Sequence, residues 1–168
     1  MKRNLTAGCI ALAALLAMVA APVAAVAAET LHADLTGYEE VPAVSTGASG
    51  TFRAKIANDE SAIDFELTYE GIEGGNVTAA HIHVGQLSVN GGVSAFFCGG
   101  GGKPDCPSPG GTVTGTILPA DVIGPGGAQQ VPPGALDELI AAIRAGATYA
   151  NVHSETSPGG EIRGQVRR

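Results

Sequence analysis

Positive charge is scarce in this chain. Nine Lys and Arg side chains stand against sixteen Asp and Glu, for a formal net charge of −7 at pH 7. Such a surface repels phosphate backbones and anionic lipid heads, which argues against nucleic-acid and membrane-surface partners. Reactive motifs are missing as well. Gly99-Gly100-Gly101-Gly102-Lys103 is followed by Pro104, where a phosphate-binding loop needs Ser or Thr. Ser49 and Ser108 lack the flanking glycine pair of a serine-hydrolase elbow. No internal repeat is evident, and no catalytic nucleophile emerges, so an enzyme is the minority expectation.

Cysteine is nearly absent, with Cys9, Cys98 and Cys106 the three in the chain. Cys9 lies in a segment that reads as an export signal: Lys2 and Arg3 precede an apolar run from Ile10 to Ala21, and small residues follow from Val23 to Ala28. Cleavage after Ala27 or Ala28 is expected, giving a signal peptide over 1–28 and one domain over 29–168. A retained anchor would need a span of about 20 apolar residues, and Pro22 interrupts this run. A lipoprotein cysteine would follow the run, whereas Cys9 precedes it. Export to the periplasm or medium favours a disulfide between Cys98 and Cys106. The alternative, a thiolate metal site, wants closer cysteines or a further ligand.

What is present in quantity is alternation. Phe52, Ala54 and Ile56 alternate with Thr51, Arg53 and Lys55, and Ile63, Phe65, Leu67 and Tyr69 alternate with Asp64, Glu66, Thr68 and Glu70. Period two predicts a pair of half-buried strands joined by a turn at residues 58–61. Further strands are expected at 31–35, 77–84, 93–97, 112–118, 148–154 and 161–166, between clusters of Gly, Pro, Asn and Ser. One segment breaks the pattern: Leu136, Leu139, Ile140 and Ile143 have helical spacing, with Gly146 to end the helix. The fold class is therefore all-β, an antiparallel Greek-key sandwich or barrel with one short helix.

His81 and His83 sit two apart in a predicted strand and so project from one face. With His153 from another strand they form a candidate copper or zinc site. The alternative is that these rings bond to backbone or to carboxylates such as Glu155 or Glu161. His32 is left out because it lies near the expected new N-terminus, where chains fray. Glu161 reads as structural, accepting from His153 or pairing with Arg163 on the same strand face.

Several motifs in order resemble the CHRD (chordin-type) domain. They are Leu35-Thr36-Gly37-Tyr38-Glu39-Glu40-Val41-Pro42, Ala79-Ala80-His81-Ile82-His83-Val84-Gly85, Asn90-Gly91, Tyr149-Ala150-Asn151-Val152-His153-Ser154 and Ser157-Pro158-Gly159-Gly160-Glu161-Ile162-Arg163-Gly164-Gln165-Val166. The resemblance runs from about His32 to Val166. It implies an all-β extracellular module, found in chordin, a protein that binds growth factors, and in many bacterial secreted proteins without assigned activity. A weaker similarity is to copper,zinc superoxide dismutase, which also presents a His-x-His pair from a strand. That family's dinuclear site needs more histidines than the four present, and its residues around the pair differ from Ala80 and Val84-Gly85-Gln86.

The expectation is a secreted or periplasmic binding or structural module with an unidentified protein or small-ligand partner. The competing expectation is a mononuclear copper or zinc protein using His81, His83 and His153 for metal handling or redox chemistry. Intact-mass measurement of the exported protein should show residues 1–27 or 1–28 removed, and a mature mass that retains them would contradict the signal peptide.

Overall fold

The computed structural model describes residues 28–168; the expected signal segment, 1–27, lies outside the described residues. Eight strands form one antiparallel sheet: β1 (Glu29–Thr36), β2 (Ser49–Ile56), β3 (Ile63–Glu70), β4 (Val77–Val84), β5 (Gly92–Cys98), β6 (Gly111–Ile117), β7 (Thr148–Ser154) and β8 (Ile162–Gln165). Their order across the sheet is β5-β4-β7-β8-β1-β2-β3-β6. The two outer strands, β5 and β6, lie against each other, so the sheet curls into a nearly closed barrel. The connections from β3 to β4 and from β6 to β7 skip across the sheet, which distinguishes it from a simple meander.

The alternation seen in the sequence points inward. Phe52, Ile56, Ile63 and Leu67 of β2 and β3 are buried, as are Ala80 and Ile82 of β4, Ala150 and Val152 of β7, and Ile162 of β8. Phe97 on β5 packs its ring 5.0 Å from Phe52 and 4.8 Å from Phe65, joining opposite walls of the barrel. Burying a side chain of this size contributes about 2–3 kcal/mol. The single helix α1 (Leu136–Arg144) adds Leu136, Leu139, Ile140 and Ile143 to the same core. Arg144 at its last turn reaches Glu29 at the start of β1 and Glu60 in the β2–β3 turn, which locates the helix at that end of the barrel. Gly146 ends it with φ +68°, a left-handed conformation that favours glycine.

Cys98 and Cys106 are joined by a disulfide, with Cα atoms 5.1 Å apart. Closing so short a loop stabilises by about 2–3 kcal/mol. Within it, Gly100 and Gly101 lie directly on the ring of Phe96, where any Cβ would collide. Lys103, the residue that could have suggested a phosphate loop, instead bonds Asp121 at 2.8 Å and the Thr116 carbonyl.

One region departs from half-burial. Every residue of β7 and β8 is buried, on both faces of the sheet. The inner face is apolar along Ala150, Val152 and Ile162, with Thr148 and Ser154 at the two ends of β7, but the outer face carries Tyr149, Asn151, His153, Arg163 and Gln165, and loops cover it. Covered polar side chains must find partners in the protein. This outer face holds the candidate site.

Candidate metal centre

Sheet register assembles the three histidines. His81 and His83 project from β4 on the outer face, and β7 pairs antiparallel with it, His83 opposite Tyr149 and Ala79 opposite His153. His153 is therefore the diagonal neighbour of His81, and their ring centroids lie 4.3 Å apart. The His81 and His83 centroids are 4.5 Å apart. On the other side, the β4–β5 register shifts between Ala80 and His81 and again between Ile82 and His83. Such bulges re-aim side chains beside functional sites. One nitrogen from each ring falls within 4.8 Å of the other two, and among the described residues no carboxylate or thiol joins the group.

Hydrogen bonding fixes which nitrogens face inward. His83 Nδ1 is 2.9 Å from the Gly91 carbonyl, and His153 Nδ1 is 3.0 Å from the Pro158 carbonyl. A carbonyl only accepts, so both rings carry their proton on Nδ1 and keep a lone pair on Nε2. Those two Nε2 atoms, together with His81 Nδ1, are buried and have no hydrogen-bond partner. The two alternatives open in the sequence thus divide between the two nitrogens of His83 and of His153, one bonding backbone and the other left free, while His81 bonds no backbone group. Leaving a buried polar nitrogen unpaired costs about 1–3 kcal/mol, so three together, two of them set as acceptors, make a demanding arrangement for a merely structural cluster.

Neighbours hold the rings in place. Tyr149 stacks on His83 at 4.5 Å with planes 5° apart, and its hydroxyl accepts from the Gly91 N–H. Phe96 meets His81 edge-on at 5.0 Å, held there by the glycines of the disulfide loop. Arg163, 1 % exposed, lays its guanidinium 3.4 Å over the other face of Tyr149. It also donates to the Gln86 and Val89 carbonyls and to Asn90 Oδ1, tying the 86–91 loop over the site. Gly91 in that loop leaves no room for a Cβ, which would strike the Val84 carbonyl.

Two sequence expectations are corrected by these contacts. Glu161 neither accepts from His153 nor pairs with Arg163. It receives Thr46 Oγ1 at 2.9 Å, the N–H groups of Glu73 and Gly74 at 2.8 and 3.0 Å, and the Ser154 hydroxyl. Its role is structural all the same: burial would raise its pKa, but these donors hold it below the usual carboxylate range. His32 does not fray, since its backbone exchanges two bonds with Arg167, yet its side chain is exposed on β1 and stays outside the cluster. Tyr149, Asn151, Arg163 and Glu40 were not read as site residues. The first three share strand parity with the histidines, a signal present in the sequence. Glu40, bonded by Asn151 Nδ2, has its pKa pushed up to about 7, chiefly by burial and against the pull of Asn151 and Arg163.

The family model described as the CHRD domain aligns with residues 31–166. Searches of curated proteins and of solved structures return no match.

In the metal-free protein the rings are neutral. The His83 pKa is pushed down to about 4 and that of His81 to about 2, mainly by burial. An unfolded chain takes up these protons near 6.5. The unfolded state then binds more protons between pH 6.5 and about 4, and stability falls as pH drops through that window. His83 alone should account for about 3 kcal/mol of the loss. Urea unfolding of chelator-treated protein between about pH 7 and 4.5 measures this, with His83→Gln expected to flatten the slope. Constant stability across the window would contradict neutral buried imidazoles.

Proposed function

The chain belongs to the CHRD domain family, and we propose that within this fold it is an exported metal-binding module whose His81, His83 and His153 hold one copper or zinc ion. The carrying observation is the convergence of three buried, unpartnered imidazole nitrogens, two of them set as lone pairs by Nδ1 bonds to backbone carbonyls. Ligating histidines characteristically donate the other ring nitrogen in this way, which fixes tautomer and orientation. Bonds of about 2.0–2.1 Å would draw the three nitrogens together from their present spacing. Nitrogen ligands suit copper or zinc, whereas calcium and magnesium take oxygen.

Export supports the reading in two ways. The N-terminal residues have the pattern of a cleaved signal. A Cys98–Cys106 bridge suits an oxidising compartment and leaves no thiol among the described residues to compete for the ion.

Titration with Zn(II) and with copper should give one equivalent bound per chain in the wild type. His81→Ala, His83→Ala and His153→Ala should each weaken it by more than the roughly 10–100-fold typical of losing an outer partner. Affinity unchanged in all three variants would eliminate the site. No binding by the wild type would leave the rings as hydrogen-bonding residues of a structural module.

A further inference from the structure

The donor set and its surroundings carry information about the charge of the ion. All three ligands are neutral imidazoles, with no carboxylate or thiolate in the group. The Nδ1 protons of His83 and His153 go to backbone carbonyls. A carboxylate in that position would raise ligand basicity and supply negative charge; a carbonyl supplies none. The charge that does stand close is positive. Arg163 lies on one face of the Tyr149 ring, and His83 is stacked on the same ring.

The carboxylates nearest in the fold are engaged elsewhere. Glu161 is occupied by four donors, and Glu40 is held by Asn151. The Glu40 pKa of about 7 also leaves it partly neutral near physiological pH. Glu155 is exposed and bonds Asn76. An ion placed among these histidines therefore has no carboxylate bonded to it or to its ligands, and sits in a low-dielectric pocket beside a buried cation. The self-energy of an ion there rises as the square of its charge, so a divalent ion costs about four times what a monovalent one does.

Coordination number points the same way. The histidines are 6, 7 and 8 % exposed, and Phe96 screens His81. Zn(II) seeks a fourth ligand and Cu(II) a tetragonal set. A closed d10 Cu(I) ion is content with three nitrogens. Imidazole suits copper as well as zinc, so charge and room decide. We infer that the His81, His83 and His153 site takes cuprous copper in preference to Cu(II) or Zn(II), making the domain a holder of Cu(I). This inference rests on the metal site proposed above.

The test is anaerobic competition of the mature, disulfide-intact protein against a chromophoric Cu(I) chelator, with ascorbate as the reductant, beside parallel competitions for Cu(II) and Zn(II). Cu(I) should bind at least about 100-fold more tightly than either. Against Cu(II), that ratio corresponds to a copper couple about 120 mV above the aqueous one. Equal or tighter binding of Zn(II) or Cu(II), lost in the histidine variants, would overturn the cuprous assignment while leaving the site intact. Absence of every ion would overturn both. Phe96→Glu, at a half-buried position beside His81, adds the missing anion and should shift the preference toward Zn(II) by at least about tenfold. An unchanged ratio in a folded Phe96→Glu protein would overturn the charge argument.

Discussion

Antiparallel pairing of β4 with β7 puts a polar face where loops remove it from water, and the partners found by that face organise the rest of the structure. His83 and Tyr149 are directly opposed, and His153 lies diagonal to His81. A slip of one residue would turn the histidines into the barrel and Ile82 and Val152 out of it. The apolar inner face therefore locks the register on which the outer face depends. Core and site are two consequences of one alternation.

Burial of polar groups then dictates the loops. Arg163, almost fully buried, takes three acceptors from the 86–91 segment and the face of Tyr149. Glu161 draws the 73–74 backbone, Thr46 and Ser154 to itself. Gln165 donates to the Gly85 and Gly146 carbonyls, linking the same loop to the residue that ends the helix. Each contact offsets a desolvation cost that would otherwise be several kcal/mol for a charged group. Ser94, Thr148 and Gln165 each leave one buried oxygen unpaired as well, but the three imidazole nitrogens are gathered in one pocket, and an ion is the ligand that would satisfy all of them at once.

Much of this was legible because it follows from period two. Strands β2 and β3 and the shared face of His81 and His83 follow from that alternation, α1 from its own helical spacing, the Cys98–Cys106 bridge from the export signal and the remaining pair of cysteines, and CHRD membership from ordered motifs. Other features depend on three-dimensional partners that no spacing encodes. The bulges of β5 beside His81, the carbonyls of Gly91 and Pro158 and the four donors on Glu161 are of that kind. The Arg163–Tyr149–His83 stack lies between these extremes. Its residues have the correct parity, but only the closed barrel brings β8 beside β7. The close approach of Gly100 and Gly101 to Phe96 is likewise set by the fold and not by their spacing.

The central claim is that His83 and His153 present Nε2 lone pairs toward a common point shared with His81. Long-range proton–nitrogen NMR on the metal-free, 15N-labelled protein reads the tautomer of each ring directly. The account predicts Nδ1–H tautomers for His83 and His153 at neutral pH. On adding one equivalent of Cu(I), their Nε2 resonances and one His81 nitrogen should shift together. Nε2–H tautomers, or imidazolium rings at neutral pH, would contradict it.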